Sequence, residues 1–260
     1  MTQALVRASL ILAATCAVFA QQPAATPAFD VASIKPNKDP MVRGQSHIMG
    51  DGEISTDPAS VTMRNISLKG SIQWAYDIKP YQVSGPDWLF SERFDILAKV
   101  QGPAPEADRR LMMQNLLAER FGLKTHRESK ELPVFALVVG KNGPKFKPSE
   151  GEGKSTMNGV HMLMSAKWTT MAQLADLLYQ PLRTPVIDMT GLKGQYDFTV
   201  DLTPYAPPAG DGGRGSGPMG DPAGIVLSLV QEQLGLKLES RKQAIDILVI
   251  DHAEKTPTEN

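Results

Sequence analysis

The stretch Leu117-Ala118-Glu119-Arg120-Phe121-Gly122-Leu123-Lys124 returns 113 residues later as Val230-Gln231-Glu232-Gln233-Leu234-Gly235-Leu236-Lys237. In both places apolar residues at helical spacing run up to a glycine, and the period then switches to two. That switch predicts a helix, a left-handed glycine at its end, and a strand. Working outward, each stretch is followed by a polar segment, a turn and an apolar run, Val134-Phe135-Ala136-Leu137-Val138-Val139 and Ile245-Asp246-Ile247-Leu248-Val249-Ile250. Upstream, Arg93-Phe94-Asp95-Ile96 matches Gln195-Tyr196-Asp197-Phe198, and Ser67-Leu68 with Tyr76 matches Thr170-Met171 with Tyr179. Four features in one order, with length differences confined to Pro- and Gly-rich gaps, predict a duplicated module.

Local signals fill in the elements. Asn65 or Ser67 caps a helix whose stripe is Leu68, Ile72, Ala75 and Tyr76; Thr169-Thr170 caps its counterpart, with Met171, Leu174, Ala175 and Leu178. Both helices should end near a proline, Pro80 and Pro181, which cannot continue the hydrogen-bond ladder. Two short strands follow each: Tyr81-Gln82-Val83 with 94–100, and Val186-Ile187 with 196–202. In the second helix of the later copy Asp221 is the N-cap and Pro222 takes the first helical position, with Val226, Leu229, Val230 and Leu234 as the buried stripe. In the earlier copy Asp108 holds the cap offset and Met113, Leu116, Leu117 and Phe121 form the stripe.

Each module thus reads strand–helix–strand–strand–helix–strand–strand. The expected fold class is α+β: two tandem copies of a βαββαβ-like module, with helices packed on small mixed or antiparallel sheets. The boundaries read as signal peptide 1–20, tether and strand 21–60 (with Phe29 to Ile34 a strand ended by Lys35-Pro36), module one 61–147, linker 148–166 and module two 167–260. The Gly- and Pro-rich spacer from Pro204 to Gly220 reads as a surface excursion.

Residues 1–20 have a basic start at Arg7, a short apolar run from Ala8 to Phe19, and Val18-Phe19-Ala20 where a signal peptidase cuts. The run falls short of the roughly 20 apolar residues that span a bilayer. Cys16 raises lipidation, but Thr15 stands where a lipobox wants a smaller residue. Cys16 is the single cysteine, so a chain processed after Ala20 has no disulfide and no thiolate for metal binding or catalysis. A net charge of −1 gives no footprint for nucleic acid.

The histidines His47, His126, His161 and His252 are never three or four residues apart, so no helical metal pair or HExxH motif exists. His126 falls at a solvent-leaning strand position. Asp95 and Asp197, with Asp188, Asp201 and Asp251, could pair for acid–base chemistry. A carboxylate that recurs in both copies is better explained by a strand-end hydrogen bond the fold needs twice. Gly212-Gly213-Arg214-Gly215-Ser216-Gly217 is neither a phosphate loop nor a nucleophile elbow. Trp88, after Gly85-Pro86-Asp87 and near Tyr81, either plugs the edge of its own core or faces solvent as a binding anchor.

Several segments resemble a known bacterial family. They are Phe29-Asp30-Val31-Ala32-Ser33-Ile34-Lys35-Pro36, Gly85-Pro86-Asp87-Trp88-Leu89, Arg93-Phe94-Asp95-Ile96, the segment 117–124, Glu131-Leu132-Pro133-Val134, Gly143-Pro144-Lys145 and the ending Val249-Ile250-Asp251-His252 with Pro257, Glu259 and Asn260. The family is the soil-associated, Acidobacteria-type DUF3738, to which no activity is assigned. The resemblance implies an exported protein and no mechanism. Some relatives look like appendages of membrane metallopeptidases of the antibiotic-sensor type, whose zinc motif is missing from this sequence. More loosely, Val61 to Leu68 and the elements after it are similar to the short N-terminal domain of secretins and TonB-dependent receptors, which implies a non-catalytic, partner-binding periplasmic unit.

The expected function is therefore an exported non-enzymatic binding protein of the cell envelope, periplasmic or secreted. Its partner would be an envelope or extracellular protein, Tyr81 and Trp88 are the binding candidates, and neither catalytic residue, metal nor cofactor is expected. The alternative is an extracytoplasmic hydrolase with a carboxylate and histidine site between modules. An enzyme should bring two titratable groups within hydrogen-bond reach in one cleft.

Overall fold

The structure is a computed structural model that describes residues 27–37, 52–160, 162–205 and 221–258. The expected signal peptide, His47, His161 and the glycine-rich part of the long spacer lie outside the described residues. In chain order the first elements are β1 (Val31–Pro36), β2 (Glu53–Asp57), β3 (Ser60–Ser67), α1 (Leu68–Tyr76), β4 (Val83–Ser84), α2 (Trp88–Ser91), β5 (Arg93–Lys99), α3 (Glu106–Phe121) and β6 (Lys124–Val139). There follow β7 (Lys147–Pro148), β8 (Thr156–Val160), β9 (Leu163–Thr169), α4 (Met171–Leu182), β10 (Val186–Asp188), β11 (Tyr196–Asp201), α5 (Pro222–Glu232) and β12 (Leu236–His252). Helices and strands in small sheets make this an α+β protein, as the periodicities predict.

The chain divides into two compact units. The first takes the described parts of Met1–Asp77, Asp87–Leu123 and Ala253–Asn260; the second takes Ile78–Pro86 and Lys124–His252.

In the first unit the sheet order is β1-β5-β3-β2, all neighbours antiparallel. The alternation along β5 turns Phe94, Ile96 and Ala98 inward and Asp95, Leu97 and Lys99 outward. Ser67 starts α1 as expected, its Oγ accepting the Gly70 N–H at 2.9 Å, and Asp77 in the left-handed region closes it. The α3 stripe Met113, Leu116, Leu117 and Phe121 is buried as its spacing requires, and Phe121 meets Phe94 edge to face at 5.0 Å. The residue before α3 is Pro105, and Asp108 lies inside the first turn instead of capping it; there it complements the helix dipole. Gly122 ends the helix at φ 58°.

In the second unit one sheet has the order β7-β11-β9-β8 and the other β10-β6-β12-β4. Thr170 and Gln173 form a capping box at the start of α4, and the Asp221 carboxylate accepts the Ala223 and Gly224 N–H groups at the start of α5. Met171, Leu174, Ala175, Val230 and Leu234 from this helical region join Ala166, Phe198, Leu137 and Leu236 from the strands in one core. As expected α4 ends near Pro181; the proline itself lies in the last turn, and Arg183 in the left-handed region closes the helix.

The largest departure from the sequence reading concerns the strands after the glycines. A turn was expected inside each; instead β6 and β12 are unbroken strands of 16 and 17 residues that pair antiparallel along their length. The polar centre of each strand is held straight because the other strand's backbone satisfies it. Charged residues such as Arg127, Glu128, Arg241 and Lys242 stand exposed while Val134, Ala136, Leu137, Ile245, Ile247 and Leu248 are buried. Three smaller differences follow from local chemistry. The first strand runs to Pro36, two residues beyond the expected end. The segment Pro80–Gln82 is a single 3-10 turn with Pro80 at its first position, not a strand. Trp88 to Ser91, after Asp87, winds into the short helix α2, an element the sequence reading does not include.

Candidate functional site

The helix α2 packs three apolar residues into one turn, and they cannot all face inward. Leu89 is the anchor, 2 % exposed; Trp88 is partly buried, and Phe90 is 59 % exposed. Each ring on this turn has a cation beside it. The Arg93 guanidinium lies 5.6 Å from the Phe90 ring centre and the Lys255 ammonium 5.9 Å from that of Trp88. Arg93 also donates to the Asn65 carbonyl at 3.2 Å, which fixes its stem at the foot of β5. The turn thus holds a solvent-facing aromatic, a second aromatic partly in the core, and two positive charges.

Tyr81 belongs to the second compact unit, whereas Trp88 belongs to the first. It is partly buried against Val134, Ile245 and Ile247 and meets Tyr179 of α4 at 5.4 Å, the ring planes tilted by 58°. Lys79 beside it pairs with Asp176 of the same helix. Burial, and then the negative charge of Asp176, raise the Tyr81 phenol above its ordinary value, so at neutral pH it is a neutral hydroxyl. These contacts give Tyr81 a packing role.

The recurrent carboxylates are both committed to backbone. Asp95 accepts the Asn65 N–H at 2.8 Å and the Asn37 side-chain amide at 3.1 Å. Asp197 accepts the Trp168 N–H at 3.0 Å and the Ser149 hydroxyl at 2.6 Å. Asn65 (φ 48°) and Trp168 (φ 50°) each stand in the left-handed region two residues before a helix cap. Asparagine tolerates that region and the bulky Trp168 is strained in it; in both places an aspartate that accepts the N–H holds the backbone there. Hydrogen bonds from Ser149 and then Trp168 keep the Asp197 carboxyl below the ordinary carboxylate value.

On the paired strands β6 and β12, His126 Nδ1 lies 2.8 and 3.0 Å from the two Asp251 oxygens. The side chains are 52 % and 46 % exposed, which makes this a surface pair. Among the described residues no group of three or more His, Cys, Asp or Glu side chains is placed to hold a metal ion. No helix among them is long and apolar enough to cross a membrane.

A family model described as a protein of unknown function, DUF3738, matches residues 69–253, from the first turn of α1 to just past β12. The chain belongs to the DUF3738 family. No curated protein and no solved structure matches it.

Sequence reasoning named Trp88 and passed over Phe90. The signal was present: a Trp-Leu-Phe run between Asp87 and Glu92 is too short for a stripe, so at least one of its rings must face outward.

Proposed function

We propose that this DUF3738 protein is an exported, non-enzymatic binding protein of the cell envelope, periplasmic or secreted, whose partner is an envelope or extracellular protein. The observation that carries the reading is the α2 turn, where Leu89 is sunk in the core and Phe90 stands in solvent beside Arg93. Aromatic rings and arginine are the side chains that dominate protein interfaces. The commitment of Asp95 and Asp197 to backbone N–H groups supports it further, because the two most suggestive acid–base candidates have a structural task. The looser similarity to short N-terminal domains of secretins and TonB-dependent receptors points the same way through its sequence pattern, and the signal-like residues 1–20 support export.

The test is retention of partners from native envelope extract on the immobilised exported chain, wild type against Phe90→Ala. A specific envelope protein retained by the wild type and lost by the variant, with melting unchanged, is the expected result. An exported sample that hydrolyses a cell-wall or ester substrate, and loses that activity on His126→Ala, would overturn the non-enzymatic reading. The same sample should begin at Gln21 by mass spectrometry; an acylated Cys16 at its start would make it a lipoprotein.

A further inference from the structure

Fifteen consecutive pairs join β6 to β12, from Thr125↔Ile250 to Val139↔Leu236, and the middle pair is Leu132↔Gln243. About that pair the sheet repeats itself. The run Val134-Phe135-Ala136 of β6 lies opposite the polar segment 239–241, and the largely apolar run 245–250 of β12 lies opposite the polar segment 125–130. Each apolar run takes a short parallel strand on its outer side: β10 along Phe135, Ala136 and Leu137, and β4 along Leu248 and Val249. A half-turn about Leu132–Gln243 exchanges β6 with β12 and β10 with β4. The relation is a local two-fold.

The elements leading to these strands also recur. The order β1-β5-β3-β2 in the first unit is matched by β7-β11-β9-β8 in the second. A left-handed, non-glycine residue held by an aspartate two residues before a helix cap occurs once in each. Good packing does not require one unusual backbone device at the same place twice; common descent supplies it.

We propose that the β6–β12 seam is a dimer interface enclosed in one chain: two copies of one module, each giving its last strand to a sheet whose other central strand comes from the other copy. Such an interface is isologous, and the partner it fits is a second copy of the same strand. The inference stands apart from the binding role proposed above. It has a geometric consequence. A residue on the two-fold axis faces its own counterpart when two identical copies of β6 pair, whereas an off-axis residue does not.

The experiment uses the full chain with Cys16→Ser, a protease site in the exposed loop 150–154 and one added cysteine. The cysteine is placed either on the axis, Leu132→Cys, or off it, Glu128→Cys. As a register control, Leu132→Cys with Gln243→Cys in the uncut chain should close an internal disulfide, since directly opposed strand residues lie about 4.5–5.5 Å apart. Each single variant is then cut, unfolded in urea with both fragments present, and refolded under mild oxidation. The expected result is a disulfide-linked dimer of the N-terminal fragment for Leu132→Cys, severalfold above that for Glu128→Cys. Equal yields from the two positions would overturn the proposal, and failure of the register control would overturn the seam itself.

Discussion

Replacing Phe90 and Trp88 one at a time separates the two tasks that one helical turn holds. Phe90 is 59 % exposed, so Phe90→Ala removes little buried surface and should stay within about 0.5 kcal/mol of wild type. Trp88 is partly buried. A tryptophan brings on the order of 200 Å2 to a core; at about 25 cal/mol per Å2, complete burial would be worth roughly 5 kcal/mol, which is the upper bound for this partly buried ring. The unfolded chain hides part of that surface already and alanine keeps its own share, which leaves about 2–3 kcal/mol. The Lys255 ammonium, 5.9 Å from the ring centre, lies at the edge of useful range and contributes about 0.5 kcal/mol at most. In a chain of this size 1 kcal/mol moves Tm by roughly 2–4 °C, so Trp88→Ala should melt about 4–12 °C low while Phe90→Ala melts like wild type. Urea titrations with equal m-values, run beside the envelope-retention assay, check both numbers. Phe90→Ala is the informative variant because only function should suffer. Were it to cost more than about 2 kcal/mol and leave retention intact, the ring would be packed and the patch would play no part in binding.

Three further outcomes test the fold around the site. Asp197 has a folded pKa lowered by the Ser149 hydroxyl and then the Trp168 N–H, so its contribution to stability is fully present above the ordinary value near 3.8 and is lost as pH falls through the lowered one. The stability gap between wild type and Asp197→Asn, read from urea midpoints, should be widest at neutral pH and close on acidification; a gap constant to about pH 2 would remove the bracing role. Gly235→Ala puts a Cβ at φ +68° against the Gly143 carbonyl oxygen, with Lys145 atoms at 3.1 Å, and should cost at least about 1–2 kcal/mol by chemical denaturation; a neutral result would mean the junction between α5 and β12 relaxes freely. Leu234→Ala, at a site 2 % exposed in the core of the second unit, should cost about 2–5 kcal/mol in the same measurement, and a loss under about 1 kcal/mol would show the α5 stripe to be misplaced.

What could be read from residue order alone was local. Ser67, Thr170 and Asp221 cap helices because a side-chain oxygen within three residues of a free N–H needs no tertiary partner. The stripe Met113, Leu116, Leu117 and Phe121 is buried because helical geometry puts those positions on one face. The α+β class follows from two periodicities that alternate along the chain. Tyr81 and Trp88 could be singled out as aromatics beside prolines, but not assigned: a ring's exposure depends on what the rest of the chain brings to it. Tertiary structure set Tyr81 against Tyr179 and left Phe90, not Trp88, as the more exposed ring. It also decided the long strands. The segments 127–133 and 240–244 carry charge and a proline, and in isolation they resemble turns. They are straight only because each lies beside a strand more than 100 residues away, whose backbone hydrogen bonds no local signal could announce.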